Sequence, residues 1–595
     1  MRKRSFLFGA LAALAMAGCS DNDLTQDGPQ IADKDGKMYM KVSIADPTSG
    51  TRALGNVEYG SKEESAVKSI LFVFYNQNGN YVGKSPMKWV DKTVDLADDE
   101  FGGSMPNQTP GSQVETKLTM VVPVDVNAGG FLPYYVVAYV NPANADQDAA
   151  KNLDEISALH RSADQIKDAD NNFVMNNSVY YTSEGTAKPV FATVIKKLSE
   201  TKDEAGKDAT PMTEIYVERI CARVTVDKAE TLGDNLNMNA GTGIADAIDG
   251  DMKIAFHPVK WALNATAKHS YLVKQFRTNP TDAEPVSYAT VNNRFTALTP
   301  TWNDLNNKRS YWCTGYAYAF DDYPRVASQA EGTDVPVNYY SYNQIEEYGF
   351  NWGASTYCLE HTVTNASAPL AAYTSVIVAG YYTLDDAAAG TFYTYGVNAA
   401  NKPIVYKETE MAKLITALAT ASNPVMNAEG NAVTENLAGI YEVKRPADAV
   451  IGDVLVPSRY VYLQVKETAA NGTYYFRNGD GQLAQITTAT LNTVNRMLMS
   501  SNPAIMYNGG KAYYNIPIEQ FGKDATGKVA YGTYGIVRNH AYAINIKGIS
   551  GLGTGIADPT DPIIPPTEEQ TYYVRTQLNV LPWKIVNQAD VTLGE

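Results

Sequence analysis

Histidine and cysteine are scarce in this chain, five and four among 595 residues. Metal centres and thiol chemistry draw on those two residue types. His160, His257, His269, His361 and His540 lie far apart, and none has a second ligand candidate at useful spacing. Each reads as an ordinary strand or surface histidine, so no metal and no cofactor is expected. Nucleophile elbows (GxSxG), P-loops and HExxH helices are also missing. No catalytic residue is assigned, and the chain is not expected to be an enzyme. Glycosidase chemistry stays open in principle, because its two carboxylates can come from distant positions. No motif argues for it. Asp33–Gly36, Asp246–Asp251 and Asn478–Gly481 hint at calcium loops, but none continues to the glutamate that an EF-hand needs. Ordinary Asp-Gly and Asn-Gly turns are the simpler reading. After the N-terminal segment no run of 18 apolar residues occurs, which excludes a spanning helix there. Positive charge is in deficit, with 49 Lys and Arg against 65 Asp and Glu, a formal net charge of −16. Such a chain repels phosphate backbones, so nucleic acid is not expected as a partner.

What is present is a globular balance, 44% hydrophobic and 19% charged. The length suggests two to four domains. Tyr is abundant, 40 residues against 16 Phe and 6 Trp, alongside 44 Gly and 28 Pro. Tyr suits strands because its ring packs while its hydroxyl stays wet. The composition predicts an all-β fold with minor helix and many turns. Exposed tyrosines could also form a glycan-stacking platform, although strand and core positions account for them more simply.

The first residues read as an address. Arg2, Lys3 and Arg4 precede a short apolar stretch from Phe6 to Ala17, too short to span a bilayer. Ala17-Gly18-Cys19 resembles a bacterial lipobox, in which the signal peptide (1–18) is cut off and Cys19 receives acyl chains. Met16 departs from the commonest pattern, and an ordinary signal peptide is the alternative. Acyl chains would hold the chain at the outer membrane. Three cysteines then remain, an odd set that cannot pair completely, and whether any two are bridged stays open.

Further along, Met38, Met40, Val42 and Ile44 alternate with polar residues and predict a half-buried strand. Pro47 to Ala53 reads as an exposed loop whose one basic residue, Arg52, suits a trypsin-like protease. Apolar runs predict strands at Ile70–Tyr75 and Tyr134–Val140, the first ending in the hairpin signal Asn78-Gly79. Residues 145–170 are the best helical stretch, with Leu153, Ile156, Leu159 and Ile166 near helical spacing. One long strand is expected over Thr213 to Val226, with a domain boundary near residue 212. More strands follow at Tyr373–Tyr382, Tyr460–Val465, Tyr513–Ile518 and Ala541–Ile549. Asp558 to Pro566 reads as a stiff, extended Pro-rich spacer. Beyond it Val574, Thr576, Leu578 and Val580 share one face, followed by Trp583 and Ile585. A strand held away by a spacer is well placed to add to another sheet. The alternative is a strand that folds back on its own.

Five segments occur in order: Thr51-Arg52-Ala53, Val217–Val224 (VERICARV), Tyr357–Thr362 (YCLEHT), Gly535–Tyr542 (GIVRNHAY) and Val580–Lys584 (VLPWK). Together with the lipobox and the acidic Ser20–Asp23 behind it, they resemble the Bacteroidetes fimbrillins, the type V pilins. The resemblance runs from the signal peptide to the C-terminus, with residues 230–350 and 383–510 divergent. It implies two transthyretin-like β-sandwich domains in tandem and an extended C-terminal strand. It divides the chain into a lipidated propeptide (19–52), an N-terminal domain (53–212), a C-terminal domain (213–557) and the spacer with donor strand (558–595). It implies that an arginine-specific surface protease cuts between Arg52 and Ala53 and removes the strand of Met38, Met40, Val42 and Ile44. The donor set Val574, Thr576, Leu578, Val580, Trp583 and Ile585 of one subunit then fills the groove of an identical neighbour. The expected partners are therefore identical subunits, anchor and tip fimbrial subunits, and that protease. The expected product is an extracellular fimbria supporting adhesion and biofilm. The competing reading is a non-polymerising tip adhesin or glycan-binding surface lipoprotein.

Overall fold

The structure, a computed structural model, describes residues within 37–47, 61–89, 103–104, 114–125, 132–181, 189–229, 252–275, 308–316, 337–362, 372–521, 532–565, 584–585 and 591–593, with short gaps inside these spans. It is built mainly of strands, as the composition predicts, with a few short helices.

The first sheet contains β1 (Lys37–Pro47), β2 (Ser69–Tyr75), β3 (Tyr81–Lys84), β4 (Val114–Asp125), β5 (Tyr135–Val140), β6 (Met175–Asn177) and β7 (Thr213–Arg219). Across the sheet the order is β3-β2-β5-β6-β7-β1-β4. The two strongest apolar runs pair with each other, from Ile70 opposite Val140 to Tyr75 opposite Tyr135. β2 is buried along its whole length, which accounts for its lack of alternation. The turn to β3 forms where Asn78-Gly79 predicts it. Gly79 has φ +78°, and the Asn76 side chain accepts from the amides of Asn78 and Asn80. β5 stops at Asn141, a left-handed residue whose side chain accepts from the amides of Lys68 and Ser69.

The later strands are β8 (Cys221–Lys228), β9 (Ile254–Asn264), β10 (Ser355–Leu359), β11 (Ser375–Leu384), β12 (Lys511–Pro517) and β13 (His540–Ile549). A second sheet runs β10-β8-β13 and a third β9-β11-β12, with Thr554–Gly555 beside β12. Gly380 of β11 is fixed by close approach, since a Cβ there would lie 2.4 Å from the Phe256 ring and 2.5 Å from the His257 carbonyl. Buried apolar side chains form one continuous core from Met40 and Val122 through Ala222 to Ile516 and Ile544.

Between β11 and β12 the chain makes a long excursion with its own five-stranded sheet. Edge to edge it reads Pro403–Lys407, Phe392–Val397, Ala504–Tyr507, Tyr460–Val465 and Tyr441–Lys444. The helices Met411–Ser422 and Leu491–Met499 close a second core over it, with Leu414, Leu418, Val461, Val494 and Leu498 inside. Asn478–Gly481 is the turn of a hairpin there, with the Asn478 side chain accepting from the amides of Asp480 and Gln482.

Three expectations need correction. The helix read over 145–170 shrinks, among the described residues, to Leu153–Ser157 and a 3-10 turn at Ala163–Gln165. Residues His160–Ser162 pair instead with His269–Tyr271, and that tertiary partner overrides the local periodicity. The single strand over Thr213 to Val226 is two strands in two sheets, parting at Ile220. The change of sheet falls at Ile220. The Pro-rich segment is not a free spacer as far as Ile563. Ile563 is buried, its amide donates to the Tyr340 carbonyl at 2.8 Å, and Pro562 bridges to Ser341.

Charge is buried where the sheets part. Glu218, Arg219, Lys274, Glu360 and Arg538 are all nearly inaccessible. Lys274 pairs with Glu218 at 2.9 Å. Arg538 donates Nε to Glu360 Oε2 at 2.7 Å and Nη1 to the Leu272 carbonyl at 2.7 Å. Arg219 donates to the Glu64 carbonyl at 2.7 Å and to Asn539 Oδ1 at 3.0 Å. Burial alone would raise the Glu360 carboxyl, but Arg538 and Lys274 outweigh it and hold it below the usual carboxylate range. Breaking such a pair strands a charge in the interior. Arg538→Met should cost roughly 3–5 kcal/mol in chemical denaturation; a loss under ~1 kcal/mol would mean that the network is not a structural tie.

His361 is buried at the same junction, with Nδ1 beside the Ala265 carbonyl and Thr374 Oγ1. Burial pushes its imidazole down from 6.5 to about 4. A lowered base is protonated in the unfolded chain before the folded one. Stability is therefore full above pH 6.5 and falls as pH drops towards 4, by roughly 3 kcal/mol at 1.36 kcal/mol per unit. The depressed Glu360 acts in a different window, full above pH 4.5 and lost only below it. Denaturation midpoints measured from pH 7 to 4.5 should fall in the native chain and flatten in His361→Asn.

Candidate assembly site

β1 begins the described chain, yet it is an interior strand. One edge pairs antiparallel with β4, from Lys37 opposite Asp125 to Ala45 opposite Lys117. The other pairs parallel with β7, from Val42 opposite Thr213 to Ala45 opposite Tyr216. Higher up, Tyr39 exchanges both backbone hydrogen bonds with Ser199 at 2.7 Å each. The alternation in the sequence does its expected work. Met38, Met40 and Val42 are buried, while Tyr39 and Lys41 are half-buried on the other face. Lys41 is tethered to the Lys207 carbonyl at 3.1 Å. Ile44 follows in register opposite Leu118 and Ile215. Burying three such side chains is worth roughly 5–9 kcal/mol before ordering costs. Without β1, the facing edges of β4 and β7 would lose their partner and open a groove flanked by Val122, Val124 and Ile215.

The C-terminus meets the second sheet. β13 pairs on one side with β8 and on the other with two short tail segments. Lys584–Ile585 lies parallel to β13 opposite His540 and Ala541, and Val591–Leu593 runs parallel to its far end. Of the donor candidates, Ile585 is thus placed on the chain's own sheet. Val574, Thr576, Leu578, Val580 and Trp583 lie outside the described residues, as do Cys19, Arg52 and Ala53.

The sequence reading had no role for the residues inside the shared motifs, and the structure brings three of those motifs together. Glu218, Arg219 and Arg223 come from the first, Glu360 and His361 from the second, Arg538 and Asn539 from the third. All meet at the junction between the sheets. Arg223 also pairs with Glu64, whose carboxylate accepts from the Tyr357 hydroxyl at 2.8 Å. The available signal was charge set inside apolar runs, as in Ile215 to Val224, where alternation gives it no wet face. Cys221, Cys313 and Cys358 are buried and unbridged, and burial pushes all three thiols up, Cys221 to about 12. Two histidines far apart in sequence, His160 and His269, stand with ring centroids 5.0 Å apart. Among the described residues no group of three or more His, Cys, Asp or Glu is placed to hold a metal. Nor, among them, is any helix long and apolar enough to cross a membrane.

Comparison with known proteins bears on the same region. Residues 505–589 match the family described as major fimbrial subunit protein type IV, fimbrillin, C-terminal. The match covers β12, β13 and much of the tail, and it bears out the resemblance carried by the motifs. In its C-terminal region the chain is similar to the fimbrillin family. No curated protein sequence matches it. Among solved structures, a fimbrilin from Porphyromonas gingivalis W83 aligns at 14% identity and a TM-score of 0.30, covering 93% of this chain and 99% of that one. A candidate cell adhesion protein from Parabacteroides distasonis ATCC 8503 aligns at 10% identity and a TM-score of 0.34, covering 92% and 99%. Scores this low settle neither fold nor function for this chain.

The packing of β1 yields a direct test. Met40→Ala should lower the stability of the uncleaved chain by roughly 2–5 kcal/mol, the usual cost of emptying a buried methionine site. After removal of β1 by proteolysis the same substitution has nothing left to destabilise. An equal denaturation midpoint for variant and native precursor would show that β1 does not pack as described.

Proposed function

We propose that this protein is a stalk subunit of a surface fimbria, exported as a lipoprotein acylated at Cys19 and activated by cleavage between Arg52 and Ala53. The observation that carries this reading is the position of β1. It is enclosed on both edges and supplies part of the core, and Arg52 lies after it in the sequence, before β2. One cut after Arg52 leaves β1 held by non-covalent contacts alone. Its loss opens a groove that accepts a strand with the same two-residue apolar alternation. The C-terminal set Val574, Thr576, Leu578, Val580, Trp583 and Ile585 has that alternation over its first four members. Four to five such side chains would contribute roughly 10 kcal/mol before ordering costs. Donation from tail to groove is heterologous and does not close, so it gives a filament. Before cleavage, β1 blocks the groove and keeps assembly off the cell interior.

The chain divides, in this reading, into the propeptide to Arg52, two transthyretin-like sandwich domains (53–212 and 213–557), and the tail. Its partners are identical subunits, anchor and tip subunits, and an arginine-specific protease at the outer membrane. The fimbrillin match over residues 505–589 supports the family-level part of this assignment.

Deleting residues 571–595 should abolish polymer, with both domains still folded by circular dichroism and thermal melting. Arg52→Ala should block activation. The readout is a heat-sensitive ladder on unboiled SDS gels, with filaments seen by electron microscopy. Polymer from the truncated chain would overturn the donor assignment. A native chain that stays monomeric after clean cleavage would identify a tip or glycan-binding adhesin instead.

A further inference from the structure

The excursion between β11 and β12 leaves and re-enters the third sheet at neighbouring points, since Tyr381 lies opposite Lys511. It has its own core, but one residue in that core comes from elsewhere. Ala557, at the root of the C-terminal tail, packs with the excursion's buried side chains. Other contacts act on the same short segment. The Asn508 amide donates to the Ile556 carbonyl at 2.8 Å, and Asn508 Nδ2 donates to the Ala557 carbonyl at 2.9 Å. Arg445, which follows the excursion's edge strand, lies 3.4 Å from Asp558 and pairs with Asp561.

The body of the protein grips the opposite side. The Asn343 amide donates to the Pro559 carbonyl at 3.1 Å, and the Ile563 amide to the Tyr340 carbonyl at 2.8 Å. Asn264 Nδ2 donates to the Ile563 carbonyl at 2.9 Å, while its Oδ1 accepts from the Tyr340 amide. The Ile563 side chain is buried with Ala262, Tyr342, Ile345 and Ile377. Residues 556–563 therefore run in a slot whose two walls belong to different parts of the fold. Proline at 559 and 562 has no amide to leave unpaired there.

We propose that the excursion is a clamp on the root of the tail, with Arg445 as its latch, and that the clamped root runs from Ile556 to Pro565. This deepens the donor-strand reading above and rests on it for its role in assembly. Its consequence is a limit on reach. Eight residues, 566–573, separate the clamp from Val574, and at ~3.4 Å each they span at most about 27 Å. An unclamped root would free ten more residues, from Ile556 to Pro565, and more than double that distance. The clamp thereby sets how far a neighbouring groove can lie and keeps subunit spacing uniform. Arg445 is a positioning residue. Its guanidinium holds two carboxylates at once, a task that its fork geometry suits.

The test is amide hydrogen exchange on the full-length, uncleaved monomer, which needs no polymer. In the native chain the amides of Ile556 and Ile563 should be protected. Arg445→Met should speed their exchange at least tenfold and leave β12, Lys511–Pro517, unchanged. The double variant Asp558→Asn with Asp561→Asn should reproduce that pattern by a separate route. Deleting residues 571–595 should leave the protection intact. Unprotected amides in the native chain, or no change in either variant, would overturn the clamp. A failure of strand donation would appear elsewhere, as polymer from the chain lacking 571–595, and would leave the exchange result untouched.

Discussion

Glu218 and Arg219 are consecutive residues at the end of one sheet, and two residues later the chain is already paired in another. Neither side chain can reach water. A strand that ends in buried charge must bring its counter-charges with it, because an unpaired ion in the interior costs several kcal/mol. Lys274 supplies one from the stretch after β9. Asn539 and the Glu64 carbonyl take the guanidinium of Arg219. Arg538, next to Asn539, and Glu360 from one further segment complete the set. Five stretches distant in sequence are thereby fixed at one place. Apolar packing alone would permit the sheets to slide on one another. Directional bonds between buried charges do not.

That rigidity bears on assembly. A subunit that passes load from its groove to its tail must carry it across the junction near Ile220. The groove lies between β4 and β7, and β7 is the strand that runs into the charged junction. β13, which carries the tail segments, starts immediately after Arg538 and Asn539. The two ends of the proposed filament contact are therefore joined through one short run of buried ion pairs and hydrogen bonds.

The fold was legible where local pattern and tertiary context agree. β1 and the pair β2 and β5 follow from alternation or from an unbroken apolar run, and the turn at Gly79 follows from its dipeptide. Reading failed where a partner distant in sequence decided the outcome. Leu153, Ile156, Leu159 and Ile166 have helical spacing, but His160–Ser162 is drawn into pairing with His269–Tyr271. The run from Thr213 to Val226 looks continuous because both sheets want the same residue types, and only the charges at 218 and 219 mark the change. Asp558 to Ile563 reads as a stiff spacer by composition, and nothing local reveals the slot that holds it. The buried face of β1 was legible through periodicity. The junction residues were present in the motifs but had no role until the structure placed them together.

β1 also shows why one groove could serve two different strands. Its buried contribution is Met38, Met40 and Val42, flexible or compact side chains that fill space without directional demands. Its hydrogen bonds are backbone to backbone on both edges, and any residue but proline can make them. The groove therefore selects a two-residue period and an extended chain, not a particular sequence. Val574, Thr576, Leu578 and Val580 meet that requirement with no identity to β1. The parallel edge adds a constraint of direction, since an incoming strand must run with β7 and against β4 to use both ladders. A strand entering the opposite way would mismatch both ladders at once. In the proposed filament, direction more than side-chain fit is then what would make each subunit add head to tail.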